Sequence, residues 1–110
     1  MIDWYSVYIR KGVPTGRVRD GDRLVNGAVN TLKDARRIGI RALNESVMKR
    51  AIITCTERDG EEYVIGHVWF DGYGYEYIPW PIDHRKFRSI PLNTDGSVRR
   101  DKTWWHPFGL

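Results

Sequence analysis

Sulfur is scarce in this chain: 110 residues hold one cysteine, Cys55, and two methionines. A single cysteine excludes an intramolecular disulfide, which suits a reducing compartment. The three histidines (His67, His84 and His106) and Cys55 show none of the spacings that close a tetrahedral metal site, so no metal is expected. No stretch approaches the ~20 apolar residues of a membrane span. The opening MIDWYSVYIRKG lacks a cationic region followed by an apolar run, so it does not read as a signal peptide. The glycines of DGYGYE lack the following helix that a nucleotide fingerprint requires, and no cofactor is expected. These absences point to a cytoplasmic protein with no membrane partner. A chain of this length is one domain by the usual prior.

Aromatic rings are plentiful by contrast, with five Trp, six Tyr and three Phe. With so little Met and Cys, they must supply much of the packing volume. They concentrate in HVWFDGYGYEYIPW, His67–Trp80, where six of the fourteen residues are Trp, Tyr or Phe. Charge is also unevenly spread. Residues 1–50 hold eleven Lys or Arg against five acids, 51–80 one against six, and 81–110 six against three. An acidic middle flanked by basic segments bears on partner choice more than the net +4 does.

The pattern reads as an α+β fold. DWYSVYIRK (Asp3–Lys11) is a strand, with Tyr5, Val7 and Ile9 on one side and Trp4, Ser6, Tyr8 and Arg10 on the other. Gly12–Asn30 is mostly loop, with Asp20-Gly21 placed to turn a small hairpin between Arg17–Arg19 and Asp22–Val25. One amphipathic helix follows from Thr31 to Asn44. Thr31 or Asn30 caps it, and Leu32, Ala35, Ile38, Ala42 and Leu43 keep helical spacing. A three-stranded antiparallel meander is then expected within about residues 50–78, turned at Asp59-Gly60 and Asp71-Gly72. NTDGS offers a further small turn, and the irregular tail carries Trp104, Trp105 and Phe108. Residues 1–80 read as one domain, and 81–110 as an extension docked on it or on a partner.

Two-residue turns at both Asp-Gly pairs would fix register. Val68 then pairs with Tyr75, His67 with Glu76 and Trp69 with Gly74. Ile53, Cys55, Val64, Val68, Phe70 and Tyr75 become the floor under the helix. Trp4, Tyr8, Tyr63, His67, Trp69 and Glu76 share the other face, which one helix cannot cover. That face must meet water, the aromatic tail, a second copy or a partner protein, and Trp69 beside a glycine is its natural anchor.

Three classes of function follow. Trp, Tyr and Arg favour interface hot spots, which suits a non-enzymatic protein-binding module, an inhibitor or adaptor acting on a protein or protein–nucleic acid assembly. A short, motif-free, densely aromatic chain fits the phage-type inhibitor of such a machine. The alternative is nucleic-acid binding through the helix cations Lys33, Arg36, Arg37 and Arg41, whose bland reading is a solvated helix face. Third, a small basic α+β chain with its helix ahead of an antiparallel sheet resembles the microbial ribonucleases in outline. That outline implies an acid/base couple, here His67 and Glu76, with Tyr63 and Arg10 in support. A His–Glu pair on a sheet is more often a weak surface ion pair. The acidic charge of 51–80 repels phosphate from the aromatic segment, which favours a protein partner there.

Overall fold

The computed structural model describes residues 2–12, 15–47, 49–80 and 89–100. Six antiparallel strands form one sheet: β1 (Ile2–Arg10), β2 (Arg23–Val29), β3 (Arg50–Glu57), β4 (Glu62–Phe70), β5 (Tyr75–Pro79) and β6 (Ile90–Leu92). Their order is β2-β1-β3-β4-β5-β6, and α1 (Leu32–Asn44) lies on one face. The α+β class stands. The expected count, one N-terminal strand and a three-stranded meander, is not matched, because β1 joins the sheet beside β3, carries β2 on its outer edge, and β6 is added beyond β5. The Asp20-Gly21 turn forms, with Asp22 N–H donating to Arg19 C=O at 3.0 Å, but β2 pairs with β1 rather than with residues 17–19. At the other edge β6 joins β5, and the Asn93–Ser97 turn closes through Asn93 N–H to Ser97 C=O at 2.9 Å. No helix among the described residues is long and apolar enough to cross a membrane. The tail with Trp104, Trp105 and Phe108 lies outside the described residues, as do Pro81, His84 and His106.

Local chemistry accounts for α1. Thr31 Oγ1 accepts the Asp34 N–H at 3.1 Å, which satisfies one of the orphan donors at the helix start. Asp34 in the first turn and Arg41 in the last complement the helix dipole. The buried stripe is Ala35, Gly39, Ile40 and Leu43, with Leu32, Ile38 and Ala42 at its margins. A Cβ on Gly39 would come 3.1 Å from that of Ala51, so the missing side chain lets the helix approach β3 closely. Against this stripe the sheet sets Val7, Ile9, Ala51, Ile53, Val68 and Tyr77.

Two departures from the two-residue-turn register explain the rest. The β4–β5 loop is four residues long, Asp71–Gly74, so Val68 faces Tyr77, Trp69 faces Glu76 and Phe70 faces Tyr75. Asp71 Oδ1 stabilises that longer loop by accepting from the N–H groups of Tyr73 (2.8 Å) and Gly74 (2.9 Å). His67 therefore opposes Ile78, not Glu76, and the expected acid/base couple does not form. Between β3 and β4, Ile53 faces Gly66 but Thr54 faces Val64, leaving Ile65 as a bulge. The bulge brings Tyr63 opposite Cys55 and turns it to the helix side of the sheet. Tyr77 lies across Gly66, where any Cβ would overlap its ring, and its hydroxyl donates to Ile65 C=O at 3.0 Å. The bulge carbonyl thus gains a partner.

Candidate functional site

The face opposite the helix is not open. Ser6, Arg10, Thr54, Thr56 and His67 all project from it, and all are buried, as are Ile52, Val64 and Ile78. It is a second interior, polar where the helix side is apolar. The Thr15–Asp22 loop lies over one end of it. There the Arg10 guanidinium donates from Nε and Nη2 to the Asp22 carboxylate, from Nη1 to Thr15 Oγ1 at 3.2 Å, and from Nη2 to Arg17 C=O at 2.7 Å. Asp22 Oδ2 also accepts the Arg19 N–H at 2.8 Å. With side chains 5% and 1% exposed, this is a buried ion pair that ties a loop to a strand. The Arg10 hydrogen bonds, helped by the Arg19 backbone and the charges of both arginines, hold the Asp22 carboxyl below its ordinary range.

Of the six residues expected to share one contact surface, Trp4, Tyr8, His67, Trp69 and Glu76 do project from the face opposite the helix, at different depths, and Tyr63 projects from the other. Trp4 is partly exposed. Tyr8 is half-buried and donates to Glu62 Oε2 at 2.9 Å, the oxygen that Thr54 Oγ1 reaches at 2.7 Å. Burial, then the Glu62 hydrogen bond, pushes the Tyr8 phenol up to about 12. Tyr63 is exposed on the helix side of the sheet, its phenol raised to about 12 by a hydrogen bond to Glu57. His67 is 2% exposed. Burial, aided by the charges of Arg50 and Arg10, lowers it to about 4, so the ring is neutral near pH 7. Its Nδ1 is buried without a hydrogen-bond partner. Trp69 is half-buried, with Nε1 donating to Glu76 Oε1 at 3.0 Å and the Arg50 guanidinium stacked 4.5 Å from its ring centroid. Arg50 thus supplies the cover that the expected Gly74 neighbour would have left off.

The helix cations each meet an acceptor. Arg36 turns inward, donating from Nε to Gly96 C=O at 2.8 Å with its guanidinium 5.6 Å from the Tyr77 ring centroid. Gly96 has φ +89°, and a Cβ there would strike the Lys33 carbonyl and the Arg37 backbone, so only glycine lets this turn reach the helix. Lys33 lies 3.9 Å from Asp95, Arg37 3.6 Å from Asp34 and Arg41 3.5 Å from Glu45. These three pairs are solvent-exposed and hold their cations weakly.

The two most exposed rings among the described residues are others. Tyr73 is 97% exposed at the β4–β5 loop and Phe70 is 52% exposed beside it. Phe70 pairs with Tyr75 on the helix side, ring centroids 5.2 Å apart and planes inclined at 54°. The Tyr75 hydroxyl lies 3.5 Å from Asn44 Oδ1, which puts the end of α1 against this ring pair. Val47, 82% exposed, follows Asn44 closely in the chain. The sequence pattern set Phe70 and Tyr75 under the helix; α1 reaches Tyr75, which is half-buried, and leaves Phe70 exposed. A second feature is a cleft of about 320 Å³ between the start of β2 and the end of α1, lined by Ile9, Arg23, Leu24, Val25, Ala42, Glu45 and Ser46. Two bulges distort β2 along β1, and Ala28 adopts φ +57°. Such irregularity blunts an edge strand as a template for pairing.

Among the described residues no three His, Cys, Asp or Glu side chains gather as metal ligands. Cys55 is buried, and burial raises its thiol above the usual range. Compared with known proteins, the chain matches no family model, no curated protein and no solved structure.

Proposed function

We propose that the protein is a small non-enzymatic binding module, an inhibitor or adaptor in the cytoplasm, that contacts a partner protein through Phe70, Tyr73 and Tyr75. One observation carries the reading. Tyr73, 97% exposed, and Phe70, 52% exposed, are the two most exposed rings among the described residues and lie together at one end of the sheet, and aromatic residues are enriched at protein interfaces. An acid/base reading has less support, since His67 faces Ile78 and Glu76 is engaged by Trp69. A nucleic-acid reading keeps Lys33, Arg37 and Arg41, each exposed though lightly paired.

The test is a pull-down from nuclease-treated host lysate with the full chain and with Phe70→Ser plus Tyr73→Ser. Both side chains are exposed enough that the variant keeps its fold, checked by thermal melting. A partner retained by the wild type and lost by the variant supports the module. Equal capture by both removes the aromatic end from the interface. Capture that vanishes with nuclease favours the helix cations and a nucleic-acid partner.

A further inference from the structure

We infer that Asn26, on the edge strand β2, is a site of spontaneous deamidation, and that the fold directs this chemistry to Asn26-Gly27 over the four Asp-Gly pairs of the chain. β1 and β3 separate the site from β4, so it does not depend on the protein-binding reading.

The reaction needs an unengaged carboxamide, a following backbone nitrogen that can turn toward it, and little bulk on that next residue. The Gly27 nitrogen gives its proton to a solvent base and attacks Asn26 Cγ. The new C–N bond forms, the Cγ–Nδ2 bond breaks, and Nδ2 takes up a proton and leaves as ammonia. Water then opens the cyclic imide. Opening at Cγ leaves an ordinary aspartate. Opening at the main-chain carbonyl leaves an isoaspartate, whose backbone runs through the side chain. Either product sets a new carboxylate on the β2 edge.

Of the asparagines, only Asn26 precedes a glycine. Asn44 Oδ1 lies 3.5 Å from the Tyr75 hydroxyl, and Asn93 Nδ2 donates to Ser97 Oγ at 2.9 Å. Asn26 is exposed, and its side chain makes no hydrogen bond among the described residues. Its backbone is irregular on both sides. Val7 faces Asn26 while Tyr5 faces Val29 and Tyr8 faces Leu24, so Val25, Gly27 and Ala28 have no register partner on β1. A Cβ on Gly27 would meet only Ser6 Oγ, at 3.8 Å, so packing does not require this glycine.

Three Asp-Gly pairs are held instead. Asp59 Oδ1 accepts from the Glu61 N–H, Asp71 Oδ1 from those of Tyr73 and Gly74, and Asp95 Oδ1 from that of Ser97. The attacking nitrogens of Gly60 and Gly96 already donate, to Glu57 C=O at 2.9 Å and Asn93 C=O at 3.0 Å. Asp20-Gly21 is exposed, but the negative charge of a carboxylate resists nucleophilic attack more than a carboxamide does.

The experiment ages the full chain in mildly alkaline buffer, folded and in urea, and maps its peptides by mass spectrometry with fragmentation that separates aspartate from isoaspartate. Expected in the folded chain is time-dependent conversion at Asn26, ahead of Asn30, Asn44, Asn93 and every Asp-Gly pair, with ammonia released in step. Gly27→Ala should slow it at least ~10-fold, because a Cβ crowds the attacking nitrogen and narrows its backbone freedom. Asn26→Gln should abolish conversion at this position, and thermal melting checks both folds. Urea should speed isomerisation at Asp59, Asp71 and Asp95 more than conversion at Asn26. Conversion at Asn26 that appears only in urea overturns the inference, because β2 then protects the site. Isomerisation at an Asp-Gly pair that outruns Asn26 in the folded chain, or conversion unchanged in Gly27→Ala, overturns it as well.

Discussion

Replacing Asp22 with Asn tests how the second interior is held. The carboxylate takes two donors from Arg10 and one from the Arg19 backbone, with both side chains of the ion pair almost wholly removed from water. Removing one partner of a buried pair typically costs ~3–5 kcal/mol, because the other charge stays buried without compensation. Asn keeps the shape and one acceptor oxygen, so the expected loss is at the lower end, about 3 kcal/mol. For a chain of this size that corresponds to a drop in Tm on the order of 15 °C. Arg50 lies directly opposite Arg10 across β1 and β3, so the uncompensated guanidinium also faces a like charge. The assay is thermal and urea unfolding of Asp22→Asn, with Arg10→Met, Asp22→Leu and their combination completing a double-mutant cycle. The double variant should recover most of the loss, since an apolar pair avoids the desolvation penalty. The pH dependence has a fixed sign. A carboxyl whose folded value is depressed contributes stability that is present above its ordinary value of 3.8 and lost as pH falls through the folded value. Asp22→Asn should lose that part of the acid limb. A loss under ~1 kcal/mol, with the acid limb unchanged, would refute the buried pair.

Four further outcomes follow from the same packing. Ile40→Asp should unfold the protein, whereas Ile38→Asp, at the margin of the buried stripe, should fold with a lowered Tm; circular dichroism separates them. His67 ordinarily titrates near 6.5 and is held at about 4, so the stability it contributes is complete above pH 6.5 and drains away between pH 6.5 and 4. Urea unfolding at both ends of that window should show the wild type losing ~3 kcal/mol more than His67→Gln, and equal losses would mean that the ring is solvated. Gly66→Ala should displace the Tyr77 ring and cost several times more than Tyr77→Phe, which removes one hydrogen bond worth ~1 kcal/mol; paired urea titrations give the ratio. Trp69→Ala should cost stability, read as a lowered Tm, and free Arg50, since the ring carries that guanidinium and donates from Nε1 to Glu76.

Much of the local structure was legible because local chemistry determined it. Thr31 capping α1, the strand around Tyr5–Ile9 and the turn at Asn93–Ser97 are written in residue types whose preferences act over a few residues, while the Asp59-Gly60 turn was legible in place but spans three residues, 58–60, and not two. The Asp71 turn was legible in place but not in length. Asp71 can cap either a two-residue or a four-residue loop, and the difference of two residues keeps every face while changing every partner. The bulge at Ile65 had no signal of its own except Gly66, which the Tyr77 ring requires. β2 hid in a Gly- and Asn-bearing stretch, RLVNGAV, because an irregular edge strand lacks the alternation of an inner one. The polar second interior was missed for a reason of scale. One helix cannot cover two faces, but a loop can, and the Arg10–Asp22 pair that fastens it joins residues whose proximity no spacing rule announces. The proposed contact surface is accordingly Phe70 and Tyr73, the most exposed rings among the described residues, and not Trp69 and His67.

The central claim is that Tyr73 and Phe70 lie at an interface. The direct measurement places a photo-crosslinking amino acid at position 73, and separately at exposed position 18, in the full chain, and irradiates each in nuclease-treated host lysate. A discrete protein adduct should form from position 73 alone. Excess unlabelled wild type should compete it away, and Phe70→Ser should not. No adduct at 73, or the same adducts from 73 and 18, would contradict the assignment.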